Sequence, residues 1–173
     1  YKRQQYASFL KPEALRSLTL ATNIGNHDSN GINYQEHFNL PNESASQGDT
    51  PAGGDYWYSY NGVLFLSLNS NNMSTAEHKA FMGSAIQAYR DANGGAQPLW
   101  KIVTFHHSIY STASHMENGD IITRRNELPE VFKALDIDVV NKPPAHVYTR
   151  TYMMDGGNVS ANETYTYGNG ESE

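Results

Sequence analysis

Cysteine is absent from the 173 residues. That removes disulfides, thiolate metal sites and cysteine nucleophiles together. Charge is sparse as well: 17% of residues are charged, and 12 Lys+Arg stand against 18 Asp+Glu for a net charge of −6. No basic run exists to neutralise phosphates, which argues against a nucleic-acid scaffold. Long apolar runs are also missing. The longest, Val63 to Leu66, is far short of a bilayer span, so no membrane-crossing segment is expected. What remains is globular in character, with 38% hydrophobic residues and 12 Tyr, in a length that suits a domain with a respectable core.

Gln4 to Leu18 reads as helix, interrupted at Pro12, which suits the first turn of a second short helix. Leu18 to Ile24 is apolar with β-branched residues and predicts a strand, stopping at the loop Gly25-Asn26-His27-Asp28. Asn33 to Phe38 suits a helical turn, and the polar stretch Asn39 to Gly54 reads as a long surface loop. Asn61-Gly62 between two strand-like runs predicts a hairpin, because Asn and Gly tolerate the positive φ angles of a type I′ turn. Val63-Leu64-Phe65-Leu66 is apolar at every position and predicts a strand buried on both faces. Ser74-Thr75-Ala76-Glu77 is a capping box opening a helix to about Ala92, which Asn93-Gly94-Gly95 closes. Leu99 to Phe105 predicts a buried strand ending at His106-His107. Gly119 to Leu135 predicts a helix with Leu128, Val131, Phe132 and Leu135 on one face. Ile137 to Val140 and His146 to Met154 suit strands, and residues 155–173 a loose hairpin or polar tail. The fold class expected is α/β (α+β), with ligand-bearing loops at the carboxyl ends of strands.

Chemistry concentrates in histidine, of which there are seven. Imidazole is the commonest metal ligand and the commonest acid–base group near neutral pH. Without Cys, any metal site must use nitrogen and oxygen donors, which suits iron, zinc or manganese. In Gly25-Asn26-His27-Asp28 the Gly permits a tight turn, Asn offers a neutral oxygen and Asp28 stands beside His27 to orient it. The bland alternative is a polar turn after a strand. A His pair closing a buried strand, as in His106-His107-Ser108-Ile109-Tyr110-Ser111, is hard to justify by packing, although one of the two is expected to be structural. His146-Val147-Tyr148-Thr149-Arg150 alone suits an ordinary half-wet strand. His37 reads as structural, and His78, between Glu77 and Lys79 early in a helix, as solvated.

Strand–GNHD, strand–HHSIYS and HVYTR in this order resemble the calcineurin-like metallophosphoesterases, closest to the purple acid phosphatase branch. The similarity runs from about Gln5 to about Met154. The resemblance implies a helix-flanked β-sandwich, a dinuclear centre of Fe, Zn or Mn, and a phosphate-ester substrate. It implies that Asn26, His106 and His146 bind metal, with His106 preferred over His107 because the related pattern puts the ligand four residues before the Tyr, here Tyr110. His27 would be the general acid, Asp28 its support, and His115 a phosphate contact. The family's Asp-x-His and Gly-Asp-x-x-Asp motifs do not precede Gly25, and Pro143-Pro144-Ala145-His146 stands where the family has Gly-His-x-His. The expectation is therefore residues 1–154 as the C-terminal part of such a domain, with its opening strands and part of its metal site missing, followed by a tail at 155–173. The alternatives are a degenerate, non-catalytic binding domain of the same fold and a mononuclear module using His106, His107 and His146. A secreted or periplasmic location is implied by resemblance only.

Overall fold

The computed structural model describes residues 2–110, 117–141 and 151–160. Strands β1 (Tyr56–Tyr60) and β2 (Val63–Leu68) form the expected antiparallel hairpin. Asn61 and Gly62 take φ values of 54° and 82°, the left-handed pair that a type I′ turn requires. Helix α2 (Thr75–Ala92) carries the chain back to β3 (Trp100–Phe105), and α3 (Gly119–Ala134) carries it to β4 (Val139–Asn141). The sheet order is β1-β2-β3-β4, with β2, β3 and β4 parallel. The architecture is thus mixed α/β, and a small hairpin of β5 (Met154–Asp155) and β6 (Asn158–Val159) stands apart from the sheet.

Register explains the core. Leu64, Leu66 and Leu68 of β2 share a face with Val103 and Phe105 of β3. That face meets Phe81, Met82, Ala85 and Tyr89 of α2 and Leu128, Val131 and Phe132 of α3. Full burial of each such side chain contributes about 1.5–3 kcal/mol, so this layer dominates stability. The start of α2 departs from a reciprocal capping box. Ser74 Oγ accepts from the Glu77 amide at 3.3 Å, but the Ser74 amide donates to Asn72 Oδ1. The Glu77 carboxylate instead receives the Gly48 amide and Asn72 Nδ2, both at 3.1 Å.

The opposite face is covered at its β1 side by a second cluster of Ile24, Tyr34, Leu40, Ala52 and Tyr56. Further along that face, Tyr60, Trp100 and Val139 are exposed. The expected strand Leu18–Ile24 is not formed. Leu18 and Leu20 are exposed and only Ile24 is deeply buried. The segment touches the sheet through side-chain hydrogen bonds rather than a ladder: Tyr56 Oη donates to the Thr22 carbonyl at 2.7 Å, and Ser67 and Thr104 donate to Asn23 Oδ1 at 2.7 and 3.0 Å.

The other elements follow the sequence closely. Helix α1 (Lys2–Phe9) and a 3-10 turn at Glu13–Arg16 flank Pro12. The 39–54 loop lacks helix and strand but is firmly tied. Asn69 Nδ2 donates to Thr50 Oγ1 and the Gly53 carbonyl, while Asp55 Oδ1 accepts the Asn69 amide. Most of the expected last strand, His146 to Met154, lies outside the described residues.

Candidate functional site

Polar sequence begins where the buried parallel strands end. Beyond Leu68 of β2 come Asn69, Ser70 and Asn71, and beyond Phe105 of β3 come His106 and His107. The carboxyl edge of parallel strands is where an open α/β sheet leaves room for ligands. The Gly25–Asp28 loop reaches this edge from the extended segment lying over the sheet, not from a strand of its own. Asn71 Nδ2 holds it there through the Ile24 carbonyl at 3.0 Å, and the Asp28 amide closes the turn on the Gly25 carbonyl at 3.0 Å.

The two main motifs meet. His106 Nε2 lies 3.2 Å from Asn26 Oδ1. A Cβ placed on Gly25 would sit 3.5 Å from His106 Cε1 and 3.8 Å from Asp28 Oδ2, so imidazole and carboxylate border the same glycine. Burial, with His27 as the next cause, pushes the His106 imidazole below its ordinary pKa, against the pull of Asp28. A neutral ring with an available lone pair is the form that ligates metal. Tyr6 of α1 donates to Asp28 Oδ1 at 2.7 Å. Burial, and after it Asp28, raises the Tyr6 phenol, so Tyr6 stays a donor.

His107 is the structural member of the pair. Its Nδ1 is 2.9 Å from Ser70 Oγ, and its amide donates to the same oxygen at 3.1 Å. Burial, then the charges of Arg124 and His106, lowers its pKa to about 4. Arg124, buried, donates Nε and Nη2 to the Ser70 carbonyl at 3.1 and 2.6 Å and Nη1 to Asp120 at 2.6 Å. The ends of β2 and β3 and helix α3 are thereby clamped together. Sequence reasoning does not single out Ser70, Asn71 or Arg124. The signal for the first two is the abrupt change from apolar strand to Asn-Ser-Asn-Asn, the same change that marks His106.

His78 corrects the expectation of a solvated ring: it is 3% exposed. Its Nδ1 lies 2.7 Å from Asp55 Oδ2 and its Nε2 3.1 Å from the Asn72 carbonyl. A ring placed between the Asp55 carboxylate and the Asn72 carbonyl can donate from both nitrogens when it is protonated, so the site favours the imidazolium, while burial raises the Asp55 carboxyl as well. Burial alone would lower its pKa, but the Asp55 hydrogen bond and charge raise it. This pair pins the 39–54 loop to α2. His37 is structural as expected, stacked on Tyr6 with ring centroids 4.2 Å apart.

Beside the Asn26–His106 contact opens a cavity of about 780 Å³, bordered by His27, Asp28 and Asn23 on its polar side and by Tyr6, Phe9 and Phe38. His115 and His146 lie outside the described residues. Among the described residues no three His, Asp or Glu side chains group as a metal site would need. Asn26 and His106 fit one side of a single ion's coordination and do not by themselves make a dinuclear centre. No known family model, curated protein or solved structure matches the chain.

Proposed function

We propose that this chain is part of a metal-dependent phosphoric ester hydrolase, its sheet one layer of a metallophosphoesterase sandwich. The observation that carries the reading is the meeting of Asn26 Oδ1 and His106 Nε2 at 3.2 Å across 80 residues of sequence. An amide oxygen and a neutral imidazole side by side at the carboxyl edge of parallel strands are donors of the kind an Fe, Zn or Mn ion takes. A bound ion would polarise the phosphoryl group and lower the pKa of a bound water. In this reading His27, on the same turn, gives a proton to the leaving alcohol oxygen as the phosphorus–oxygen bond breaks. Asp28, fixed by Tyr6, follows His27 in the turn and supports it. His115 would contact phosphate and His146 would add a metal donor.

The test is titration of the purified chain with Mn²⁺ or Zn²⁺, with bound metal measured directly and a phosphate-ester assay run alongside. Metal should bind, and His106→Ala should weaken it by at least about 10-fold, the scale on which changes around a site act. Turnover of the isolated chain should be very low, because the donors at hand are too few for two ions. Failure to bind metal, or identical binding by His106→Ala, would remove the reading. A second reading, a non-catalytic domain of the same fold, is favoured by Pro143-Pro144-Ala145 standing where a ligating His is expected, since proline offers no side-chain donor.

A further inference from the structure

The turn that carries Ser70 and Asn71 at the end of β2 is held at both ends by one buried pair. Asn69 opens the turn and Asn72 closes it, the Asn72 amide donating to the Asn69 carbonyl at 3.0 Å. Asp55 Oδ1 accepts the Asn69 amide at 2.7 Å, and His78 Nε2 lies 3.1 Å from the Asn72 carbonyl. Asp55 Oδ2 and His78 Nδ1 meet at 2.7 Å and close the ring of contacts. Both side chains are buried. Attaching a loop to a helix does not require a buried charge, which costs desolvation that an apolar contact would not. This pair adds a hydrogen-bond pattern that depends on a proton.

The middle of the turn reaches the candidate site. Ser70 is fixed from the far side by His107 and Arg124. Asn71 Nδ2 donates to Asn69 Oδ1 at 2.9 Å and to the Ile24 carbonyl at 3.0 Å, directly ahead of Gly25 and Asn26. Loss of a proton from the imidazolium leaves Nδ1–H on the Asp55 carboxylate and turns Nε2 into an acceptor facing the Asn72 carbonyl. Two buried acceptors then stand opposed, and the Asn72 end of the turn loosens. With Ser70 anchored, the residue free to swing is Asn71, and the Ile24 carbonyl moves with it. The other charged groups around His78 are accounted for. The Glu77 carboxylate, next to it on α2, takes the Gly48 amide and Asn72 Nδ2. Arg124 of α3 borders the same small cavity as His78 and is paired with Asp120.

We propose that the Asp55–His78 pair is a proton-operated clamp on the Asn69–Asn72 turn, with Asn71 as the positioning residue that transmits it, so that deprotonation of His78 parts Asn26 from His106. The clamp itself does not depend on the hydrolase reading; its consequence for a metal at Asn26 and His106 rests on that reading.

The test is a pH titration of the full 173-residue chain by NMR, following the histidine rings, the amides of Ile24 to Asp28, and the amides of β2 and β3 as a check on the fold. The Ile24–Asp28 amides should show a step at the midpoint of the His78 ring, above the ordinary 6.5, while the β2 and β3 amides hold still. The step should vanish in His78→Gln, which keeps an amide donor for Asn72 but has no titrating proton. It should vanish also in Asn71→Ala, where His78 still titrates; this variant leaves the pair intact and keeps the test alive if His78→Gln does not fold. Wild-type affinity for Mn²⁺ should fall at least about 10-fold above the same midpoint, and Asn71→Ala should bind weakly throughout with no such fall. A step that persists in Asn71→Ala, or its absence in wild type while His78 titrates, overturns the proposal. A His78 ring that keeps one protonation state until the sheet unfolds overturns it as well. A chain that binds no Mn²⁺ at any pH removes the hydrolase reading and leaves the clamp, which the amides report alone. Amides that ignore His78 in a chain that does bind Mn²⁺ remove the clamp alone.

Discussion

At the scale of single residues, the histidines divide by what surrounds them. His107 is kept neutral by burial and by Arg124, with a pKa of about 4 against an ordinary 6.5. Its folded value is depressed, so its contribution to stability is present above pH 6.5 and is lost as pH falls toward 4. His78 behaves oppositely. Its folded pKa is raised by Asp55 above 6.5, so its contribution is complete below 6.5 and is lost as pH rises through the folded value. Stability measured as Tm against pH should fall away on both sides of about 6.5. His107→Gln should flatten the acid limb and leave the alkaline limb in place, and an unchanged acid limb would mean that another group sets it. His27 makes a different prediction, which tests the role proposed for it in phosphate-ester hydrolysis. His27→Ala should lower turnover by ~10²–10⁴-fold for an ester with a poor leaving group and less for an activated one, with metal content retained. Equal losses for both esters, with metal gone, would make His27 a ligand.

At the scale of elements, the hairpin and the helix start carry costs that can be measured one at a time. Gly62 has φ +82°, and a Cβ there would lie 3.0 Å from Leu99 Cδ1. Gly62→Ala should cost about 1–2 kcal/mol, the penalty of a side chain in the left-handed region, read from urea midpoints at unchanged m. Gly48 is the harsher site. Its φ is +64°, and an added Cβ would collide with the Asp55 carboxylate that holds His78. Gly48→Ala should therefore destabilise more than Gly62→Ala, and the reverse order would show that the 39–54 loop gives way freely. Ser74→Ala removes the α2 cap and should cost about 1 kcal/mol. The elements legible in the sequence are those with local causes: the Asn-Gly turn, the Ser74 cap, and the apolar face of α3. The strand expected at Leu18–Ile24 is not one of them. Its apolar run satisfies strand composition, but its partner is a sheet face, and composition alone does not tell a strand from an extended segment lying across other strands.

At the scale of the whole molecule, the sheet-and-helix layer and the 19–55 region are held by different forces. The first has a continuous apolar core between β2, β3, α2 and α3. The second has a small cluster and a set of side-chain hydrogen bonds centred on Asn23, Asn69 and Asp55. Regions with fewer buried contacts open at lower free energy. Amides of β2, β3 and α2 should thus exchange last, and those of 19–40 well before them. Asn23→Ala, which unties Ser67 and Thr104 from the crossing segment, should speed exchange in 19–40 while leaving β2 and β3 protected; faster exchange across the sheet as well would mean a single cooperative unit. By itself the sequence determined the mixed α/β class, the hairpin, the helices α2 and α3, and the motifs that end at polar loops, because turn chemistry, capping and periodicity act over a few residues. Tertiary structure alone decided that Asn26 meets His106, that Ser70 and Arg124 take His107 out of the site, that His78 is buried on Asp55, and that α1 brings Tyr6 and Phe9 to the cavity. Each of those is a contact between segments far apart in the chain, and such contacts depend on the path of the backbone, which no local pattern encodes.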